Sequence, residues 1–366
     1  MEICKICSEK KYYLIEFNNL FIRTDSYKKD LHQYQSKVCY NCGVVYQSPQ
    51  ISEKVVTKHY QTNARKTNYP LNLDDNIKLD FPFQFEQTGI SFQRFYHFYK
   101  IINKTKKINK NLDINSNTCI LDYGAYQGAF LYACKKIWNP KTIAYDYNES
   151  GLKFATNFLD IDHIFHAKNI SEDIFPNEIN ICVAIQVLEH LPDPVKFLNH
   201  VKKNVLKNKG FIYIEVPCAE TSEYSNPSHL FMFTKESLEY LFNLCGFEIH
   251  HISIEHIHNF PKLTTLKRHI QTMVHCLASA NEEITFNKNI FIGKKIYKRV
   301  KKSHLKSSNK IYHIKLLKFL KDAIIVFYYG FFVIISFLSQ NFSITLFLFF
   351  NNFLKKIKFL NKLSRK

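Results

Sequence analysis

Between residues 116 and 260, short apolar runs alternate with segments of helical periodicity. The apolar runs predict buried strands at Thr118–Asp122, Thr142–Asp146, Ile179–Ile185 and Gly210–Val216, with a last one at Phe247–Ile254. Apolar positions at helical spacing predict helices at Val195–Leu206 and Lys235–Leu244. Strands that alternate with helices at this spacing predict an α/β domain with a doubly wound, mostly parallel sheet.

Outside this region the alternation of apolar runs and helical segments is not found, and differences in composition divide the chain of 366 residues into four segments. Residues 1–50 contain short polar strands, and residues 51–115 form a polar, aromatic connector with a helix expected near Phe92–Ile102. Residues 116–260 form the α/β domain, and residues 261–366 form a basic, helical tail with an apolar segment at 323–350.

The net charge of +19 is concentrated in the tail. From Phe291 onward there are 17 Lys and Arg residues against one acid, Asp322, which leaves only +3 to residues 1–290. A nucleic-acid enzyme carries its basic groove through the folded body. The distribution therefore disfavours nucleic acid as a partner.

The tail contains 32 consecutive uncharged residues, Ala323 to Leu354. That length exceeds the roughly 20 residues that span a bilayer, although Ser339–Asn341 interrupts the run and would also suit a re-entrant hairpin. Lysine clusters on both sides suit anionic lipid headgroups on a cytoplasmic face. The two interpretations are a membrane-associated segment and a helical hairpin buried against the protein or in a dimer.

Two cysteine pairs lie in the first segment, Cys4-x-x-Cys7 and Cys39-x-x-Cys42. The absence of an apolar signal region in Met1–Glu9 indicates a cytoplasmic protein whose ten cysteines are reduced. Two CxxC pairs at this separation are typical of a tetrahedral Zn²⁺ site. Because four thiolates leave no open position, the zinc is expected to be structural, in a small zinc-ribbon-like module. The other cysteines lie in apolar runs and are expected in the core.

A glycine turn follows the first strand of the α/β domain, because Gly124 and Gly128 come directly after Asp122. Glycines at such a turn let backbone N–H groups approach a nucleotide-like ligand. The next strand ends at Asp146, about 20 residues further on, where an acid can accept hydrogen bonds from ribose hydroxyls. The alternative for Asp146 is a helix N-cap.

Several motifs in the same order resemble one family. LDYGAYQG, Asp146, VLEHLPDP, GFIYIEVP and SHLFMFTKESLEYLFNLCGFEI are similar to the motifs of class I S-adenosylmethionine-dependent methyltransferases. With the cysteine pairs, the resemblance extends over about residues 1–255 and points to the branch with an N-terminal zinc-binding domain, which is related to sugar methyltransferases. It implies a Rossmann-like, seven-stranded sheet.

The resemblance also implies a cofactor site for S-adenosylmethionine. Asp122, Gly124 and Gly128 would line the methionine and ribose moieties, and Asp146 would bind the ribose hydroxyls. Gln186 would lie near the sulfonium, and Asn169 in the loop 167–170 would lie near the adenine. The family has a glycine where this chain has Tyr126, so the turn widens, the ring stacks beside the ligand, or cofactor binding is lost.

Candidate catalytic bases follow the strand Ile179–Ile185 and precede the last helix: Glu189, His190 and His229. Two of them have a structural alternative, since His190 could cap a helix and Glu189 could hold backbone amides. The Tyr-x-Glu-His pattern of the sugar C-methyltransferases corresponds here to Asn226–His229, where only the histidine matches. Methyl transfer to oxygen or nitrogen of a saccharide or glycan precursor is therefore expected, and the alternative is a non-catalytic scaffold protein at the membrane.

Overall fold

Two β-sheets, one of seven strands and one of four, organise the computed structural model. It describes residues 3–15, 35–50, 52, 54–55, 81–109, 111–168, 173, 175, 179–221, 228–258, 270–281, 283 and 286–308. The strands are β1 Tyr12–Ile15, β2 Gln35–Cys39, β3 Val45–Ser48, β4 Cys119–Tyr123, β5 Lys141–Asp146, β6 His163–His166, β7 Ile179–Ile185, β8 Leu206–Pro217, β9 Phe231–Met232, β10 Phe247–His258 and β11 Ile270–Ala280. The α-helices are α1 Phe81–Thr105, α2 Ala129–Trp138, α3 Glu149–Leu159, α4 Pro194–His200, α5 Lys235–Leu244 and α6 Gly293–Ser308.

The larger sheet has the strand order β10-β11-β8-β7-β4-β5-β6. Strands β6, β5, β4, β7 and β8 are paired in parallel, whereas β11 is antiparallel to both β8 and β10. The predicted Rossmann-like, doubly wound, seven-stranded sheet is confirmed. The strand order reverses between β4 and β7, and ligands of such sheets bind at the carboxyl ends of the strands beside this switch point.

Helices cover both faces of this sheet, which explains why the central strands are almost continuously apolar. All five residues of β4 are buried. On one face, Phe95 and Phe98 of α1 pack against Phe130 of α2. On the other face, Phe197 of α4 contacts Tyr123, with ring centroids 5.3 Å apart. The two apolar layers fix the sheet edge that carries the candidate site.

Several elements differ from those predicted. Strand β11 lies inside the large sheet, so the sheet extends past residue 260. Helix α1 is longer than the predicted Phe92–Ile102. The predicted helix Val195–Leu206 changes to a π-helical turn at Val201–Val205, and Leu206 pairs with Ile179 as the first residue of β8. The last residue of the predicted helix is thus part of a strand of the sheet.

The smaller sheet joins the N-terminal segment to the α/β domain. Its order is β1-β2-β3-β9, and β9 comes from the segment that follows Ser228. The pairs Val45–Met232 and Tyr46–Phe231 are antiparallel partners. The N-terminal segment is thus held by backbone pairing next to the candidate catalytic loop.

Helix α6 packs on this smaller sheet. The Gly293 N–H donates to the Tyr40 carbonyl oxygen at 3.0 Å, and a Cβ on Gly293 would lie 2.1 Å from the Cys39 carbonyl oxygen, so the contact requires glycine. Arg299 forms two hydrogen bonds to the Glu236 carboxylate of α5, at 2.5 and 2.7 Å. Residues 293–308 thus belong structurally with the first segment and α5.

The apolar tail segment 323–350 lies outside the described residues. Within the part of the chain that the structure describes, no helix is long and apolar enough to cross a membrane.

Candidate active site

The glycine turn after β4 has the backbone conformation that the sequence predicts. Gly124 and Gly128 have φ angles of 74° and 75°. A Cβ on Gly124 would lie 2.8 Å from Val187 Cγ2, and one on Gly128 would lie 3.0 Å from Ala155 Cβ. Both the conformation and the close packing therefore require glycine.

Asp146 joins this turn to the turn after β5. Its Oδ2 accepts a hydrogen bond from the Tyr126 N–H, and its Oδ1 accepts one from the Asn148 N–H, both at 2.8 Å. Asn148, rather than Asp146, is the N-cap of α3, because its side chain accepts from the Gly151 N–H at 2.7 Å. The structure thus places Asp146 at the predicted edge, and the ribose role stays a prediction.

Tyr126 occupies the turn with a φ angle of 49°, in the left-handed region. Its ring packs against α3, because a Cβ on Gly151 would lie 2.9 Å from Tyr126 Cδ2. The same Cβ would lie 2.9 Å from the Tyr126 carbonyl oxygen. The bulky side chain in the turn is thus accommodated by a glycine on the neighbouring helix.

Asp122 and Gln186 lie at the ends of the two strands that flank the switch point. Burial raises the pKa of Asp122 well above its usual value, and the nearby charge of Asp146 adds to this. Gln186 has a φ angle of 57°, and its backbone N–H donates to the Glu215 carbonyl oxygen at 2.9 Å. Its Nε2 lies 3.2 Å from Met273 Sδ. Both residues therefore lie at the predicted sheet edge, and their roles toward the cofactor stay predictions.

The adenine loop is described only in part, and Asn169 lies outside the described residues. Asp173 was missed by the sequence analysis. It accepts hydrogen bonds from the Lys168 N–H at 2.9 Å and from the Tyr145 hydroxyl at 2.5 Å. Asp173 therefore lies beside Lys168, in the part of the predicted adenine loop that the structure describes.

Glu189, His190 and His229 form one cluster at the carboxyl end of β7. Glu189 and His190 lie in a 3₁₀ turn, and His229 precedes β9. The Leu230 N–H donates to the Glu189 carbonyl oxygen at 2.8 Å, which ties the two loops together. The rings of His190 and His229 are T-shaped, with centroids 4.8 Å apart. The structure therefore brings all three candidate bases together.

The environment of this cluster suits proton transfer. Glu189 is fully buried, which raises its pKa to about 8. Burial lowers the pKa of His229, and the nearby His190 adds to this effect. Neither Glu189 carboxylate oxygen accepts a hydrogen bond from another described residue, although the Glu189 backbone N–H lies close enough to lower the pKa of its carboxyl. The alternative in which Glu189 holds backbone amides stays a prediction. A carboxyl group with this pKa can take or give a proton near neutral pH.

A second buried polar cluster lies beside Gln186 and was also missed. Arg94 of α1 pairs with Glu215 of β8, with Nε 2.9 Å from Oε1. Burial raises the pKa of Glu215, although the Arg94 charge opposes the rise. The Tyr213 hydroxyl lies 2.6 Å from His275 Nδ1. The sequence signal was the single acid in the apolar strand IYIEVP, but nothing in the pattern named its partner on a distant helix.

The four predicted zinc ligands converge. Cys4 Sγ lies 3.7 Å from Cys42 Sγ, and Cys7 Sγ lies 3.4 Å from Cys39 Sγ. All four sulfur atoms lie within 4.8 Å of one another. Thiolates bound tetrahedrally to zinc at about 2.3 Å are about 3.8 Å apart, so the set fits Zn²⁺. A hydrogen bond from Cys39 lowers the pKa of Cys7, whereas a hydrogen bond with Cys39 raises the pKa of Cys4 and burial raises that of Cys42.

Residues 92–252 match the sequence profile of a family described as a methyltransferase domain. The match covers less than half of the chain. With the seven-stranded sheet, it supports an S-adenosylmethionine-dependent methyltransferase of class I. A search of curated proteins gave no match.

Solved structures with a similar fold share little sequence with this chain. A SAM-dependent methyltransferase from Aquifex aeolicus is 16% identical with a TM-score of 0.36, covering 48% of this chain and 88% of that one. The phosphoethanolamine N-methyltransferase 2 of Haemonchus contortus, solved with phosphomonomethylethanolamine and S-adenosylhomocysteine, is 13% identical with a TM-score of 0.36. That alignment covers 49% of this chain and 53% of that one.

Proposed function

We propose that this chain is an S-adenosylmethionine-dependent methyltransferase that methylates a small-molecule acceptor, a saccharide or glycan precursor, at oxygen or nitrogen. One observation carries the proposal. The glycine turn with Asp122 and Asp146 lies on one side of the switch point, and the buried Glu189–His190–His229 cluster lies on the other. Donor and acceptor sites on the two sides would place the methyl group between them.

The residues of the turn fit the cofactor chemically. S-adenosylmethionine carries an ammonium group and two ribose hydroxyls, all hydrogen-bond donors, and Asp122 and Asp146 supply carboxylate acceptors at the same edge. When bound, the cofactor supplies an electrophilic methyl group on a sulfonium sulfur. Gly128 keeps the turn close to α3 and Gly124 keeps it close to Val187, and Gln186 lies at the end of β7 where the sulfonium is expected.

The Glu189–His190–His229 cluster across the switch point would orient the acceptor and accept its proton. Methyl transfer is an in-line displacement, in which the acceptor oxygen or nitrogen bonds to the methyl carbon as the bond from carbon to sulfur breaks. The acceptor loses one proton. Glu189, whose pKa is about 8, and His190, 3.7 Å from it, are placed to accept that proton at Oε1 or Nε2. His229 would orient the acceptor from the opposite loop.

The four cysteines are proposed to bind structural zinc, since a closed set of thiolates leaves no coordination position for a substrate. We also propose, on the sequence of residues 323–350 alone, that the tail attaches the protein to the cytoplasmic face of a membrane.

A transfer assay tests the proposed activity. Purified protein is incubated with S-adenosylmethionine radiolabelled in the methyl group and with a panel of saccharides and sugar nucleotides. We expect label in at least one saccharide, with the label lost in Glu189→Gln and kept in His163→Gln, an exposed residue on β6. Label that enters no small molecule, from a protein that binds the cofactor, would favour the non-catalytic scaffold instead.

A further inference from the structure

The Glu189–His190–His229 cluster has the composition of a metal site. It offers one carboxylate oxygen and two imidazole nitrogens, all within 4.8 Å of one another. Two histidines and one carboxylate bind divalent first-row metals and leave coordination positions open. The four-cysteine set, in contrast, fills all four positions of a tetrahedral metal ion.

The orientation of His190 favours coordination. Its Nδ1 lies 2.9 Å from the Ser228 carbonyl oxygen, which can only accept, so Nδ1 carries the proton and Nε2 carries the lone pair. A hydrogen bond from one imidazole nitrogen to a backbone carbonyl is the usual way in which a metal-binding histidine is held. The Nε2 lone pair therefore points toward the Glu189 carboxylate.

When Glu189 is ionised, two acceptors face each other. His190 Nε2 lies 3.7 Å from Glu189 Oε1, and both Glu189 oxygens are buried without a hydrogen-bond partner among the described residues. A buried carboxylate without a donor is costly. Ligand atoms on one metal, each about 2.0 to 2.2 Å from the ion, lie about 3 to 3.5 Å apart. A cation between Oε1 and Nε2 would satisfy the Glu189 carboxylate and bind His190 after a shift of a few tenths of an ångström.

The loop geometry brings the third ligand to the same point. The hydrogen bond from the Leu230 N–H to the Glu189 carbonyl oxygen holds the His229 loop against the 3₁₀ turn. Strand β3 supports that loop, because the Gln47 N–H donates to the Leu230 carbonyl oxygen at 3.0 Å. Backbone contacts from two elements thus hold the His229 loop beside the 3₁₀ turn.

We propose that Glu189, His190 and His229 bind a divalent first-row transition-metal ion, separate from the zinc of the four cysteines, with an open position for an acceptor oxygen. The metal site itself does not depend on the proposed function. The binding of an acceptor oxygen at the open position does rest on the proposed function. There, the cation would stabilise the alkoxide that bonds to the methyl carbon, and because Glu189 and His190 would then be metal ligands, the proton of the bound hydroxyl would pass to solvent.

Metal content and cobalt spectra test the site without cofactor or acceptor. The protein is stripped of metal, reconstituted with Co²⁺ and dialysed, and the metal is counted. We expect two equivalents in the wild type. One should show the near-ultraviolet thiolate bands of a cysteine site, and the other only the weak visible bands of nitrogen and oxygen ligands. Glu189→Gln and His229→Gln should each lose the second equivalent and keep the thiolate bands, which also report that the module is folded.

His163→Gln, which changes an exposed histidine at the start of β6, is the matched control and should keep both equivalents. A single equivalent in the wild type, or a second one that persists in both Glu189→Gln and His229→Gln, would overturn the proposal. The affinity of the same samples for S-adenosylmethionine is measured in a separate titration. Metal binding without cofactor binding would contradict only the proposed function.

Discussion

Tyr126 packs against Gly151: a Cβ on that glycine would lie 2.9 Å from the tyrosine Cδ2 and 2.9 Å from its carbonyl oxygen. The large side chain of Tyr126 in the glycine turn therefore fits because residue 151 of α3 is a glycine. The ring lies on the helix side of the turn, and the turn keeps its hydrogen bond to Asp146. The departure from the family's glycine is thus compatible with a formed turn.

We expect Gly151→Ala to lower the thermal unfolding temperature, because the new methyl group meets both the ring and the backbone of Tyr126. Overpacking of this kind costs about 1–3 kcal/mol. In a Tyr126→Gly background the loss should be smaller, since the ring is gone, but should persist, since the carbonyl oxygen remains. Asn157→Ala, at an exposed position of the same helix, is the control and should change little. Equal losses in both backgrounds would show that the ring does not contact Gly151.

Tyr126→Gly alone should preserve or improve the affinity for S-adenosylmethionine. Glycine adopts the φ angle of 49° without the strain of a side chain and keeps the N–H that Asp146 accepts. Calorimetric titration measures the affinity. A loss of binding in this variant would mean that the tyrosine ring itself contacts the cofactor.

The ion pair between Glu236 and Arg299 should make stability depend on pH. The hydrogen bonds from Arg299 lower the pKa of Glu236 to about 2, below its unfolded value. The stabilisation is therefore fully present above about pH 4.5 and is lost as the pH falls toward 2. Because the pair is one-third exposed, we expect about 1 kcal/mol at most.

Urea unfolding of the wild type and of Glu236→Gln checks this. At pH 7 the wild type should be the more stable protein, and the difference should shrink between pH 4.5 and pH 3. A difference that stays constant over that range would mean that the carboxylate charge is not what stabilises the helix α6 contact.

Disruption of the cysteine site should impair methyl transfer more than cofactor binding. The module is joined to the domain through β3 and β9, directly beyond Leu230 and His229. In Cys42→Ser, we expect faster hydrogen exchange at Tyr46 and a lower transfer rate, with unchanged affinity for S-adenosylmethionine. Cys134→Ser, in the core of α2 and remote from the module, is the control for exchange at Tyr46. Equal loss of affinity and transfer would instead mean that the module supports the whole fold.

Deletion of residues 318–366 should release the protein from membranes and leave cofactor affinity intact. Fractionation of cells that express the full and the shortened chain measures the first effect, and titration measures the second. Unfolding of the shortened chain would place the apolar segment in the core, as the hairpin alternative holds.

The strand and helix pattern predicted the centre of the fold because the parallel strands are buried on both faces and therefore continuously apolar. It missed Ile270–Ala280, an antiparallel strand that inserts next to β8 from outside the regular alternation. Motif spacing placed Asp146 and Glu189 at the correct sheet edge. It could not reveal that Arg94 reaches Glu215, or that Gly151 accommodates Tyr126, because both contacts depend on how helices lie on the sheet.

The central claim is that the turn at Gly124–Gly128 binds S-adenosylmethionine with the help of Asp146. The direct measurement is calorimetric titration of S-adenosylmethionine into the purified full-length protein and its Asp146→Ala variant. We expect saturable binding to one site in the wild type. The variant should bind more weakly by one or two charge-assisted hydrogen bonds of about 1.5–3 kcal/mol each. Folded protein that shows no binding at millimolar ligand, or equal affinity in the two proteins, would contradict the account.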